Sequence, residues 1–172
     1  MSAGGDPARK SGLSPLIAGG IVAGVLGLSA AIGRRNAPEP AHPGIARWYH
    51  RLDKPGYTPP DRVFGAVWPV LETTLAAGGY RLLRSPAGPA RGTALALWLA
   101  SSGMIGGWTQ LFFREHRLGL SAVASGAMLA TTTGYVAAAR RVDRPAAAAG
   151  VPLTLWLGFA TVLAAGVWRR NR

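Results

Sequence analysis

Five long apolar segments, separated by shorter polar ones, dominate the sequence. Each holds about 20 residues, the length at which an α-helix crosses the hydrocarbon core of a bilayer. Polar and apolar positions do not alternate within them as they do in strands, and an α-helix satisfies every backbone group inside lipid. The pattern therefore predicts an all-α integral membrane bundle of five transmembrane helices, with spans at about residues 13–32, 63–83, 93–113, 118–139 and 147–168.

The amino-terminal region has two interpretations. Residues 1–12 are polar and contain glycine, and we predict that they are disordered. Arg9 and Lys10 precede the first apolar run and small residues end it, as in a secretory signal peptide. The run is long for the apolar part of a signal peptide, and the Arg34 and Arg35 pair after it is typical of a retained span. The sequence favours a retained helix and leaves removal of this segment as the alternative.

A proline-rich connection, residues 33–62, joins the first two spans. Its six prolines exclude one continuous helix, because proline lacks an N–H donor and fixes φ. Residues 45–52 are predicted to form a short interfacial helix that carries Trp48 and Tyr49. We predict that residues 54–60 form a stiff lid over a cavity, because long structureless connections are uncommon unless they are functional. A plain connection between helices is the alternative.

The charges agree with a membrane protein and argue against other classes. Charged residues make up 15% of the chain, against about 25% in a soluble domain. The net charge is +12, but the basic residues are scattered between apolar runs and form no continuous face for phosphates, so nucleic acid is excluded as a partner. Eleven of the 19 Lys and Arg residues lie on the side of the first loop and the C-terminus, which predicts that this side is cytoplasmic.

Conventional reactive sites are missing from the sequence. The absence of cysteine excludes disulfides, thiolate metal sites and cysteine nucleophiles. His42, His50 and His116 lie in connecting segments and have no metal-binding spacing. No nucleophile–base pair or phosphate loop is present either, so we expect no required cofactor and no conventional active site.

Several aromatic, proline and glycine residues recur in an unusual order. The first group is Trp48, Tyr49, Leu52, Lys54, Pro55, Tyr57, Thr58, Pro59, Pro60, Phe64, Gly65, Trp68, Pro69 and Leu71. Weaker groups follow in order at residues 108–113, at residues 130–132, and at Pro152, Trp156, Phe159, Ala160, Val162, Leu163, Trp168, Arg169 and Asn171. Over residues 45–172 the chain thus resembles the TspO/MBR family, the translocator and tryptophan-rich sensory proteins.

This resemblance implies a five-helix bundle with a cavity that the first loop closes on one face. It also implies that the cavity binds porphyrins, haem-like tetrapyrroles and other flat hydrophobic ligands. The chain departs from the family at five positions, so that several polar ligand contacts are lost. Glu72 stands where tyrosine is common, and the other four positions are Ser101, Ile105, Leu153 and Ala164.

Seven residues are candidates for ligand binding: Tyr49, Tyr57, Phe64, Trp68, Glu72, Trp108 and Trp156. The three tryptophans among them lie several residues inside their spans and match cavity positions of the family. A flat macrocycle would gain buried area and ring stacking from them. Packing between helices is the alternative for each. For Trp48, Trp98 and Trp168, packing or anchoring at the membrane interface is our expectation.

Glu72 is an acidic residue near the middle of the second predicted span. An ionised carboxylate at the bilayer centre costs at least about 2.5–3.5 kcal/mol, so such a residue usually faces a cavity or a partner. Phe64, Trp68 and Glu72 recur every four residues and share one helix face. We expect Glu72 to contact ligand or water one turn deeper than Trp68. A protonated glutamic acid, hydrogen-bonded between helices, is the alternative.

Small residues in the third span suggest a homodimer. They are Ala96, Ala100, Gly103 and Gly107, and such spacing lets two helix backbones approach closely. Packing inside one bundle is the alternative. A sterol motif can be drawn through Leu75, Tyr80 and Arg84, but patterns of this kind are weak, and we do not predict sterol binding.

Three functions are consistent with these observations. The first is a membrane receptor, sensor or carrier for porphyrin- or haem-like tetrapyrroles. The second is an enzyme that degrades porphyrin in light, with Trp68 and Trp156 as candidate redox-active indoles. The third is a structural or regulatory membrane protein that binds a partner.

Overall fold

The computed structural model describes residues 11–38 and 40–172, so residues 1–10, most of the predicted disordered terminus, lie outside the described part. The described residues form helices and connections and no strand, which confirms the all-α class. A five-residue π-helix, Gln110–Arg114, directly continues the α-helix that ends at Thr109. The helices are α1 (Pro15–Asn36), α2 (Pro43–Arg51), α3 (Asp61–Arg84), α4 (Pro89–Thr109), α5 (Leu118–Ala139) and α6 (Arg144–Arg170).

Five of these helices are long enough to cross a bilayer, and α2 is a short helix in the first connection. Three of the five, α1, α5 and α6, are also apolar enough to do so by composition. The other two, α3 and α4, have 24 and 21 residues but contain Trp, Gly, Ser or Thr, which lower their hydropathy. The predicted count of five spans is therefore not quite matched: five of the described helices are long enough, and three of them are also apolar enough.

Helix ends follow local chemistry. Four helices carry proline in the first turn, where no N–H partner is required. At its other end α1 continues to Asn36, four residues beyond the predicted boundary. Asn36 donates a hydrogen bond to Thr109 Oγ1 at 3.1 Å. The Arg114 guanidinium donates to the carbonyl of Arg35, at 2.9 Å from Nη2, and thereby satisfies a carbonyl that a helix end leaves free.

The five long helices close into a ring in which α1 contacts α3 and α4, α3 contacts α6, and α5 joins α6 to α4. The end of the bundle near the α3–α4 and α5–α6 connections is filled by a core that includes Leu75, Leu82, Trp98, Tyr135 and Leu153. Because this end is packed, the space for a ligand lies at the other end, beneath the first connection.

Small residues lie on the outward faces of α4 and α1. The four small residues of the predicted dimer face on α4 are exposed, and a Cβ added at Gly103 or Gly107 would meet nothing within 4 Å. A homodimer through this face stays a prediction. The Gly20 and Gly24 pair of α1 likewise faces open space, so it makes no close contact with another helix in the described part of the chain.

Candidate ligand-binding cavity

A cavity of about 620 Å³ lies between the helices under the first connection. Ligand sites of proteins typically measure about 300–1,000 Å³. All five long helices contribute to its wall, together with α2 and the segment that follows it. On α1, α2 and the segment after α2, the lining residues include Ser29, Ala30, Gly33, Arg34, Tyr49, His50, Leu52, Lys54 and Thr58. On α3 and the helices that follow it, they include Asp61, Phe64, Gly65, Trp68, Pro69, Glu72, Ile105, Trp108, Phe112, Phe113, Ser125, Met128, Trp156, Ala160 and Ala164.

The structure brings six of the seven candidate residues to this cavity: Tyr49, Phe64, Trp68, Glu72, Trp108 and Trp156. Tyr57 is placed elsewhere. A tight turn, in which the N–H and the hydroxyl of Thr58 both donate to the carbonyl of Pro55, directs Tyr57 outward. Its side chain is 53% exposed and its hydroxyl lies 3.5 Å from the carbonyl of Val162 on α6. Tyr57 thus contacts the outside of α6.

The tryptophans of the wall differ in how firmly they are held. Trp108 stacks on Phe112, with ring centroids 4.8 Å apart, and its indole N–H donates to the carbonyl of Ser121 at 2.9 Å. Trp156 packs edge-on against Phe64, at 5.9 Å between centroids. Its indole N–H is buried without a hydrogen-bond partner among the described residues. Buried tryptophans normally have this N–H paired, and a hydrogen-bond acceptor on a ligand in the cavity would pair it here.

Two irregular stretches of backbone shape the wall. Pro69 lies inside α3 and cannot donate to the carbonyl of Gly65, one turn earlier, and both residues line the cavity. On the opposite side the π-helix Gln110–Arg114 carries Phe112 and Phe113 to the cavity. Such π segments are rare and occur frequently at functional sites.

The first connection is fastened to the C-terminal end of α6. The backbone N–H of Asp53 donates to Oδ1 of Asn171 at 3.0 Å, and Nδ2 of Asn171 donates to the carbonyl of Asp53 at 2.8 Å. Arg170 adds an exposed ion pair with Asp53 at 3.4 Å, which contributes little because solvent screens it. The side chain of Asn171 therefore joins the first connection to the end of α6 by two hydrogen bonds, across 118 residues of sequence.

The lid end of the cavity is polar and carries three basic side chains. The hydroxyl of Tyr49 donates to Oδ1 of Asp61 at 3.1 Å, and Nζ of Lys54 lies 3.6 Å above the Tyr49 ring. Burial, with the nearby Asp61 charge, raises the pKa of Tyr49, so its hydroxyl stays a neutral donor at physiological pH. Arg34 and His50 line the same end. This end is suited to a carboxylate group of a ligand.

Sequence reasoning missed several wall residues. Ser29, Gly33 and Arg34 of α1 were assigned only to a span and its flank, although Ser29 and Gly33 are four residues apart and share a face. His50 and Ala160 were also missed as lining residues. The spacing of small residues near the end of α1 was the available signal, and the bundle geometry was needed to choose this face over that of Gly20.

Replacing Asn171 by alanine is expected to loosen the lid. The loss of two hydrogen bonds to Asp53, each with a net value of about 0.5–1.5 kcal/mol and so about 1–3 kcal/mol together, should raise the open fraction of the first connection about 5- to 150-fold. The rate of trypsin cleavage after Arg51 measures this opening. Arg172→Ala is the matched control, since Arg172 has no hydrogen bond to the lid among the described contacts. Equal cleavage rates in the two variants would show that Asn171 does not hold the first connection in place.

Comparison with known proteins extends these observations. A sequence profile of the TspO/MBR family matches residues 19–169. The chain is similar to the protein named "Translocator protein" of Homo sapiens, with 32% identity over 131 residues, covering 73% of this chain and 75% of that protein. Its counterpart from Ovis aries is 30% identical over 131 residues, with 73% and 76% covered. "Protein CrtK" of Rhodobacter capsulatus is 28% identical over 139 residues, with 72% and 78% covered.

Proposed function

Because this chain belongs to the TspO/MBR family of integral membrane proteins, we propose that it is a membrane receptor, sensor or carrier whose cavity binds porphyrin- or haem-like tetrapyrroles and other flat hydrophobic ligands. The observation that carries the proposal is the convergence of Trp68, Trp108 and Trp156 on one cavity of about 620 Å³. A flat aromatic ligand gains about 0.5–1.5 kcal/mol per aromatic pair beyond the burial of its area.

The polarity of the cavity supports an acidic amphiphile with an apolar body. Arg34, His50 and Lys54 line the lid end, and among the described residues no carboxylate oxygen lies within 4 Å of the Arg34 or Lys54 nitrogens. Aromatic and aliphatic side chains form most of the remaining wall. A tetrapyrrole has the matching arrangement, since its carboxylates lie on one edge and its remaining rim is apolar. The proposal places the lid on the cytoplasmic side, as the distribution of basic residues predicts.

Quenching of tryptophan fluorescence by protoporphyrin IX, with the protein in nanodiscs, tests the proposal. We expect saturable quenching whose amplitude falls by at least half in the double variant Trp68→Phe, Trp156→Phe. Trp168→Phe is the matched control, because Trp168 is 39% exposed and lies outside the cavity lining. Absence of quenching would refute tetrapyrrole binding and favour a structural or partner-binding role.

The same tryptophans support a second function, light-dependent oxidation of the porphyrin by dioxygen. It is favoured by the position of Trp68 and Trp156 on one cavity, where an indole would adjoin a bound macrocycle. Illumination of the protein with protoporphyrin IX in air separates the two functions. A new product that disappears in Trp68→Phe or Trp156→Phe, but persists in Trp168→Phe, favours the enzyme; unchanged porphyrin favours a receptor or carrier.

A further inference from the structure

The inner end of the cavity holds an acid without a basic partner. Glu72 is partly buried on α3, 11 residues beyond Asp61 and therefore about 16 Å deeper along the helix axis. Among the described residues no Lys, Arg or His nitrogen lies within 4 Å of its carboxylate. Carboxylates in such surroundings require a cation or hydrogen-bond donors. The three basic side chains of the cavity line its lid end, so none of them supplies a cation to Glu72, which has the Ser29 hydroxyl beside it.

A second, much smaller space adjoins Glu72. This floor pocket measures about 10 Å³ and is lined by Glu72, Ser29 and Ser102, with Leu75, Trp98 and Ile105 among its apolar neighbours. Its volume is close to the minimum that holds one water-sized group. Glu72, Ser29 and Ile105 line both spaces, so the floor pocket adjoins the main cavity at these three residues.

The oxygens of the floor pocket are available as acceptors. The hydroxyl of Ser29 is buried beside the Glu72 carboxylate, to which its O–H can donate, and no described residue donates a hydrogen bond to its oxygen. Ser102 donates its hydroxyl proton to the carbonyl of Trp98 at 2.9 Å, so its oxygen lone pairs stay free to accept. With the carboxylate of Glu72 these make three acceptor groups around one small space. A primary ammonium group has three N–H donors, a positive charge and the size of a water molecule.

We propose that the floor pocket is a subsite for a primary ammonium group, so that the cavity takes flat aromatic ligands with an amine at the inner end and, where present, a carboxylate at the lid end. The inference rests on the proposed function, because it uses the same cavity. Arg34 and Lys54 outweigh the carboxylate of Asp61 at the lid end, which is therefore net positive and favours this orientation over the reverse. A trimethylated ammonium is too large for the pocket and has no N–H donor.

Three probes with the same ring system test the subsite: 9-(aminomethyl)anthracene, 9-methylanthracene and the N,N,N-trimethyl derivative of the amine. Their Kd values are measured on the full chain in uncharged nanodiscs, with protoporphyrin IX in the same preparation. We expect the primary amine to bind at least about 10-fold more tightly than the methyl compound, since hydrogen bonds to charged groups are strong. The trimethyl compound should show no such gain.

Variants then assign the effect to the floor pocket. Glu72→Gln should bring the ratio of the amine and methyl Kd values close to one, and Ser29→Ala should reduce it about 2- to 5-fold. Glu115→Gln is the matched control, because Glu115 lies in the α4–α5 connection beside Arg117, outside the cavity lining. Ser29→Ala keeps the test decisive if Glu72→Gln does not fold.

The outcomes separate the two proposals. Protoporphyrin binding without an amine preference, or a preference that survives both Glu72→Gln and Ser29→Ala, overturns the ammonium subsite and leaves the proposed function standing. Failure of the wild-type chain to bind protoporphyrin and all three probes overturns both.

Discussion

Gly79→Ala is expected to destabilise the bundle by about 3 kcal/mol, at the upper end of the usual cost of overpacking a core. A Cβ at Gly79 would collide with the indole of Trp98, which is 1% exposed. The indole cannot move away easily, because its N–H donates to the carbonyl of Leu75 at 3.0 Å. In a chain of this size the change corresponds to a fall of about 6–12 °C in Tm.

Thermal unfolding in detergent, followed by circular dichroism and by loss of the monodisperse peak, measures this effect. Gly158→Ala on α6 is the control, since a Cβ there meets nothing within 4 Å. It should leave stability unchanged or raise it by about 0.5–1 kcal/mol, the usual difference between alanine and glycine inside a helix. If both variants melt at the same temperature, close packing of α3 on Trp98 is not what limits stability.

On the proposed function, Ala160→Phe is expected to weaken protoporphyrin IX binding about 5- to 150-fold. Ala160 lines the cavity on α6, one turn after Trp156, so a benzyl group there would occupy ligand space. If the benzyl group moves into the wall instead, it overpacks the helices at a cost of about 1–3 kcal/mol. Each 1.4 kcal/mol of lost binding free energy raises Kd tenfold. The shift of the porphyrin absorbance band on titration gives Kd without relying on tryptophan emission.

Leu155→Phe is the matched control for this cavity block. Leu155 lies on the same helix but is 72% exposed on the outer face, so the same aromatic group is added away from the cavity. Both variants should melt within a few degrees of the wild type. Wild-type affinity in a folded Ala160→Phe protein would show that the porphyrin binds at another site.

Local pattern was sufficient for the parts of the molecule that depend on neighbouring residues. Length and apolarity predicted five long helices, because an isolated span in lipid has to satisfy its own backbone. The four-residue spacing of Phe64, Trp68 and Glu72 placed them on one face, and the structure brings all three to the cavity. Proline spacing predicted an irregular first connection with a short helix, and the structure has α2 at Pro43–Arg51.

What the sequence alone could not determine is which mid-span side chain meets a neighbour and which meets a space. Trp98 and Trp156 are both tryptophans inside apolar helices, yet Trp98 fills the room that Gly79 leaves and Trp156 faces the cavity. Tyr49 and Tyr57 were assigned alike, and the turn at Pro55 separates them. Helical periodicity decides the face of a residue within its own helix. What lies opposite that face is decided only by the packing of segments distant in sequence, which also brings Asp53 to Asn171.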